Sequence, residues 1–449
     1  MWGSSLSTVV RPAARHQAYL GRRAYIATKP FQGAAAALAL RKPIPAQEPE
    51  PELPLTEVDG RRVAVQWSSD LQSRFHHIWL RDHCRCSECF HPITKQRMLD
   101  TFSIPADIQP RAVDATGEGL VIQWASPHEH TSLYPWSWLK NNSYDPQQFA
   151  PKPDWQKPII WDNRTIRTRT PTVEYYDVME NDDALYDWLA KIKKWGVCFV
   201  RGVPADLNST EALARRISFI RETQYGKMWS FTSDLAHGDT AYTNIALPAH
   251  TDNTYFTDPA GLQIFHLLEH TGGTGGETLL VDGLHVAREV RRRYPRSFEL
   301  LSQVPIPCHA AGDEDTFYRP DPNSGYPVLS VDASTGEVWH VRWNNNDRSV
   351  VNAVHPDLME AWYQAIRDWN RCLTEPSAEY WVKLQPRTVV VIDNQRVMHG
   401  RAEFTGRRQL CGAYMGKDDF MSRLRVLWEK GEAGALDVHE RRNVWSPGL

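Results

Sequence analysis

Short runs in which apolar and polar residues alternate dominate the early part of the chain. RRVAVQW (61–67) and LVIQW (120–124), each flanked by turn residues, read as strands, and 57–150 reads as a small all-β domain. The pattern then changes. DDALYDWLAKIKKW (182–195) repeats its apolar positions every three or four residues and predicts a helix, followed by a buried strand at 196–203. A second helix is expected over 209–226, opened by a Ser cap and closed at a Gly, with further helices at 283–294 and 355–373. Apolar runs at 262–268, 277–283, 336–343, 387–393 and 408–415 read as strands. Strands and helices do not alternate as βαβ units would. The fold class expected for 170–449 is mainly β with helices, a sandwich or jelly roll.

Composition narrows the possibilities. The 449 residues carry a net charge of -3 with both signs mixed, so no basic face marks a nucleic-acid partner. No apolar run reaches the roughly 20 residues of a membrane span, so a soluble protein acting on a small molecule is expected. The 18 Trp and 16 Tyr suit aromatic-lined pockets. Residues 1–47 differ from the rest: Arg11, Arg15, Arg22, Arg23, Lys29, Arg41 and Lys42 are basic, and the first acid is Glu48. That is the composition of a transit peptide for the mitochondrial matrix, with a disordered basic tail as the alternative. The Pro/Glu-rich stretch 48–56 reads as a linker.

Seven cysteines, an odd number, do not make a disulfide framework. Cys84, Cys86 and Cys89 form a C-x-C-x-x-C turn that offers three thiolates, and zinc needs a fourth ligand. His83 and His91 are too close in sequence for easy ring geometry, whereas His128 and His130 follow a strand and could return across the small domain. A closed set of four implies a structural zinc.

Three H-x-D triplets could also hold a metal: His237 with Asp239, His250 with Asp252, and His355 with Asp357. The last opens a helix, before Pro356 at its first position, and reads as structural. His250 and Asp252 end a strand-like run, where residues two apart share a face. With His399, at the end of a buried strand, they would give the two-His, one-carboxylate arrangement of non-haem Fe(II) oxygenases. Arg408, nine residues beyond His399, could hold an acidic cosubstrate.

WLRDHCRCSEC, IRETQYGKMWSFTSD, GDTAYT, HTDNTYF, GGETLLVDG, WNNNDR, VIDN, HGR and GRRQLCGAY together resemble the Fe(II)/2-oxoglutarate oxygenases that hydroxylate γ-butyrobetaine and trimethyllysine, from Trp79 to about Arg425. The resemblance implies a double-stranded β-helix (jelly roll) carrying iron on His250, Asp252 and His399, preceded by a small zinc-binding β domain. It places Arg408 and Thr278 on 2-oxoglutarate and makes His130, in the pair Glu129-His130, the fourth zinc ligand beside Cys84, Cys86 and Cys89. It implies ascorbate as reductant; a homodimer is also expected. Tyr225, Trp229 and Tyr242 match its aromatic cage, with Tyr414 a further candidate, and such a cage suits a quaternary ammonium because that group has no N–H to donate.

Butyrobetaine-hydroxylating relatives carry Tyr where this chain has Asn253, with Tyr255 a candidate replacement. They carry an amide where this chain has Asp239. A carboxylate there would attract an α-ammonium, and Asn344, Asn345 and Arg348 could hold the substrate carboxylate. The expected activity is therefore hydroxylation of trimethyllysine at C3, the first step of carnitine biosynthesis. Hydroxylation of γ-butyrobetaine is the alternative within the family, and an inactive quaternary-ammonium binder the alternative outside it.

Overall fold

A computed structural model describes residues 53–125, 129–148, 152–232, 243–352, 354–433 and 445. The expected transit peptide and most of the linker lie outside these residues. From Leu53 onward the chain forms one compact unit. No helix among the described residues is long and apolar enough to cross a membrane.

Two three-stranded antiparallel sheets come first, Leu55–Asp59, Arg62–Ser68 and Leu71–His76, then Pro110–Ala115, Leu120–Trp124 and His130–Tyr134. Alternation along the strands turns Val63, Val65 and Phe75 of one sheet and Leu120, Ile122 and Trp124 of the other into a shared core. The short helix His77–Asp82 leads from the first sheet into the cysteine turn.

The larger part is mainly β with helices, and one of its three apolar cores lies between two sheets, the other two lying where helices cover them. The major sheet runs in the order Trp229–Phe231, Arg407–Met415, Leu262–Thr271, Thr388–Asp393, Val197–Arg201, Thr172–Glu174, with Ile220–Arg221 also pairing on Arg407–Met415. The minor sheet runs Leu247–His250, Val397–Arg401, Thr278–Asp282, Tyr380–Val382. Phe199, Leu267, Val390 and Leu410 from the first meet Leu280, Val397 and Tyr380 from the second. Burying each such side chain contributes about 1.5–3 kcal/mol relative to leaving it in water.

Helix Asp182–Trp195 forms as the periodicity predicts. Asn181 caps it by accepting from the Asp183 N–H, and Leu185, Trp188, Leu189 and Ile192 bury its inner face against Val389 and Val391 of the major sheet.

The next helix is shorter than expected. It spans Leu207–Ile217 and is capped by Asp206, whose carboxylate accepts from the Ser209 N–H, not by Ser209. Beyond Ile217 the chain joins the sheet, pairing Ile220 with Met415 and Arg221 with Tyr414. Cross-strand pairing overrides the helical pattern there. The result carries Tyr225 and Trp229 to the mouth of the space between the sheets.

Candidate active site

His250 and His399 face each other as partners across two antiparallel strands of the minor sheet. The strands approach closely because Gly400 has no side chain; a Cβ there would lie 2.5 Å from the Leu247 carbonyl oxygen. Asp252 follows two residues after His250. One ligand atom from each of the three lies within 4.8 Å of the others. Asp252 Oδ1 is 3.3 Å from His250 Nε2 and 3.9 Å from His399 Nε2.

Two of the three ligands are aimed by neighbours, whereas His399 Nδ1 is buried without a hydrogen-bond partner. His250 Nδ1 donates to the Pro248 carbonyl at 2.7 Å, which leaves Nε2 with its lone pair toward the centre. The other oxygen of Asp252, Oδ2, accepts from Gln263 Nε2 at 2.6 Å and from the Tyr414 hydroxyl at 2.8 Å. Asn394 fixes the backbone, accepting from the Asp252 N–H at 2.8 Å and donating to its carbonyl at 3.0 Å. Burial and the nearby His250 push His399 down to about 3, so its ring is neutral and able to coordinate. Burial opposes ionisation of Asp252, but the two imidazoles and the Tyr414 hydroxyl outweigh it and hold the carboxyl well below its usual range. Burial opposes a charge on His250 as well, but the adjoining Asp252 carboxylate outweighs it and holds that ring's pKa up, so a metal bound there would displace a proton. Two imidazole nitrogens and one carboxylate brought together in this way fit a divalent iron.

The same pocket contains Arg408, Arg401 and Thr278 at one end. Arg408 and Arg401 are buried, and both guanidiniums stand over the ring of Phe404, at 5.4 and 4.8 Å. Arg401 is tied to the Thr243 and Ile245 carbonyls. Arg408 has no carboxylate within ion-pair distance among the described residues; Glu277, which acts on its charge, is paired with Lys383 at 3.5 Å. Burial first, and then the charge of Arg401, push its pKa down. A buried cation with this surrounding fits a dicarboxylate.

Aromatic rings line the rest: Tyr225, Trp229, Phe231, Tyr255, Phe265 and Tyr414. Trp229 lies flat on the major sheet because residue 412 is glycine; a Cβ there would fall 2.2 Å from its indole. Tyr225 and Tyr255 bring their hydroxyls to 3.4 Å. Tyr242 and Asp239 fall outside the described residues, as does the triplet that begins at His237. Asn253 is buried behind the pocket and not part of its lining, with a φ of 60°.

Of the three polar residues expected to hold a substrate carboxylate, only Asn344 lines the pocket. Its side chain accepts from the Asn346 N–H at 2.9 Å, and the resulting turn sends Asn345 to solvent. Arg348 does not line the pocket either: it donates to Asn345 Oδ1 at 3.0 Å and stacks over Trp362. Asn346 and Asp347 stand in the lining instead.

Far along the chain, the Sγ atoms of Cys84, Cys86 and Cys89 lie 3.3, 3.4 and 3.6 Å from His130 Nε2. Ligand bonds of typical zinc length in a tetrahedron would put sulfur and nitrogen about 3.6 Å apart. Glu88 sits 3.5 Å from His130 Nδ1 and directs the other ring nitrogen inward. Arg81 donates to Cys89 Sγ at 3.2 Å. His83 is turned away, its Nδ1 bonded to the Trp79 carbonyl, and His128 lies outside the described residues.

Residues 159–414 match the taurine catabolism dioxygenase TauD, TfdA family, and residues 56–140 match the N-terminal region described as gamma-butyrobetaine hydroxylase-like. The chain is 43% identical to a trimethyllysine dioxygenase of Meyerozyma guilliermondii, over 83% of this chain and 95% of that protein. It is 43% identical to the mitochondrial trimethyllysine dioxygenase of Homo sapiens, over 79% of this chain and 83% of that one. The chain belongs to the trimethyllysine dioxygenase family. A gamma-butyrobetaine dioxygenase of Pseudomonas is more distant, at 32% identity over 81% of this chain and 93% of that protein.

Within this member of the trimethyllysine dioxygenase family, sequence reasoning missed Gln263, Asn394, Arg401 and Asp347. The signal for the first was present: Gln263 interrupts the apolar run LQIFHLL, and a buried polar residue in such a run marks a specific partner.

Proposed function

We propose that this protein hydroxylates trimethyllysine at C3, consuming 2-oxoglutarate and O2 and releasing succinate and CO2. The observation that carries the reading is one pocket joining a His-Asp-His cluster, a buried arginine and a set of aromatic faces. Iron on His250, Asp252 and His399 would supply the oxygen chemistry of the family, with ascorbate keeping it ferrous. Arg408 and Thr278 would orient the distal carboxylate of 2-oxoglutarate. Tyr225, Trp229 and Tyr414, with Tyr242, would hold the trimethylammonium by cation–π attraction, worth about 2 kcal/mol or more once water is excluded. Asn344 would donate to the substrate carboxylate. The protein's own part is to fix the carbon to be oxidised and to keep water out.

The test is mass spectrometry of the product made from trimethyllysine with iron, ascorbate and 2-oxoglutarate. A gain of one oxygen with stoichiometric succinate is expected, at higher efficiency than from γ-butyrobetaine. No oxygen gain, or better turnover of γ-butyrobetaine, would overturn the reading.

The cysteine turn belongs to the same proposal as a structural zinc site of a small β domain. The S···N spacings around His130 support it. Purified protein should then carry about one zinc per chain. Stripping it with a strong chelator should lower the thermal midpoint by about 5–10 °C. A metal-free preparation with the same midpoint would remove the zinc. The acid-free basic N-terminus and the mitochondrial relatives support import into the matrix, and a homodimer is the expected assembly.

A further inference from the structure

With no hydrogen bond to aim its ring, His399 depends on packing and on its own strand. The ring lies against Phe265 and His250, at 4.8 and 4.4 Å between centroids, but its height along the sheet is set by the backbone of Val397–Arg401. That strand is buried along its whole length, so no contrast between a wet and a dry face opposes a slip. A slip of one residue would turn His399 to the opposite face. What fixes the strand stands at its entrance. Arg396, the residue before it, is buried and forms a two-pronged ion pair with buried Asp282, Nε to Oδ1 at 2.9 Å and Nη2 to Oδ2 at 2.8 Å. Asp282 ends the neighbouring strand Thr278–Asp282, in which Asp282 pairs with Val397 and Leu280 with His399. The same guanidinium gathers two further segments: Nη1 donates to the Lys194 carbonyl at 2.8 Å, near the end of helix Asp182–Trp195, and Nη2 to the Ile159 carbonyl at 2.7 Å. Asp282 also accepts from the Trp161 N–H at 3.0 Å and from the Leu284 N–H at 3.1 Å.

We propose that Arg396 and Asp282 are positioning residues for the metal: their ion pair fixes the register of the strand that carries His399 and ties that strand to helix Asp182–Trp195 and to the connection at 159–161. This rests on the reading of His250, Asp252 and His399 as the metal site. A buried ion pair is a poor source of stability, because both charges lose their water and well-packed apolar side chains of similar size often do as well. It does impose a geometry that one register alone satisfies. Moving Val397 by one residue against Asp282 would carry the guanidinium off both carboxylate oxygens and leave two charges buried and unpaired. The pair therefore acts where His399 has no side-chain partner of its own, by holding the backbone beneath it.

The experiment measures Mn(II) affinity, and the imidazole nitrogens seen by pulsed EPR of the bound ion, in wild type, Asp282→Asn, Arg396→Lys and a control, Leu213→Ala. Asparagine keeps the shape of the carboxylate and loses its charge; lysine keeps the charge and loses the fork. Leu213 is buried in another helix, Leu207–Ile217, so its truncation removes stability alone. At a temperature where each protein is folded, both variants of the pair should bind Mn(II) about 10- to 100-fold more weakly, the scale of a lost supporting contact at a metal site. The coupling to one of the two imidazoles should weaken with it. Leu213→Ala should lower the thermal midpoint and keep the wild-type affinity and both couplings. Variants of the pair that lose midpoint but keep affinity and couplings would make it a packing contact and overturn the proposal, as would an equal loss of affinity in Leu213→Ala. If Asp282→Asn does not fold, Arg396→Lys decides. Wild-type protein that binds no Mn(II) would instead overturn the metal-site reading, and the proposal with it.

Discussion

Asp252→Ala should reduce hydroxylation at least about a thousandfold, and should do so by emptying the metal site rather than by unfolding the sheets. The substitution removes the only anionic ligand and leaves two neutral imidazoles, a set with little affinity for a hard divalent ion. It also strands two donors, since Gln263 Nε2 and the Tyr414 hydroxyl both end on Asp252 Oδ2. Each buried donor left unpaired costs about 1–3 kcal/mol, so some stability is lost as well. The two effects separate when metal binding is measured directly, by titrating Mn(II) into the protein and following heat or paramagnetic relaxation. Gln263→Leu is the informative companion. It leaves the three ligands in place and frees one carboxylate oxygen, and should weaken metal binding about 10- to 100-fold. Asp252→Ala protein that binds Mn(II) as well as wild type would remove the assignment of this cluster.

The ligands themselves were legible because local context singled them out. Among three H-x-D triplets, only His250 and Asp252 close a strand-like run; His399, expected at the end of the run 387–393, stands instead in the middle of the next strand, Val397–Arg401. The residues that aim them were not legible. Gln263 and Asn394 reach Asp252 across the sheets, and their place depends on a register that no short window of sequence contains. The same limit explains the helix predicted over 209–226. Its local pattern is helical, but Ile220 and Arg221 gain a partner strand in Arg407–Met415, and the sheet edge wins. In WNNNDR the chemistry was legible and the direction was not. Five polar residues in a row look equivalent until the Asn344 side chain closes a turn, which leaves Asn345 in solvent and sets Asn346 and Asp347 along the pocket. In an irregular segment neither the two-residue nor the 3.6-residue period decides which side chains face a site.

Arg408→Met should raise the half-saturating concentration of 2-oxoglutarate by about two orders of magnitude or more while leaving the protein at least as stable without it. The first part follows from the loss of a bidentate, charge-assisted contact in a buried place, where such pairs are worth about 2–5 kcal/mol. The second follows from the cost of the cation itself. Arg408 is buried beside Arg401, both stacked on Phe404, with no carboxylate paired to it among the described residues. An isolated buried charge destabilises the fold, and methionine has a similar reach with no charge to desolvate. Thermal unfolding without 2-oxoglutarate should therefore give an unchanged or higher midpoint in the variant. Saturating 2-oxoglutarate with Mn(II) should raise the wild-type midpoint and leave that of the variant nearly unmoved at the same concentration. Trimethyllysine binding is read separately, because the aromatic faces are untouched. If the variant lost stability without any anion and kept its half-saturation, Arg408 would be a packing residue, and the cosubstrate carboxylate would have to be sought at Arg401.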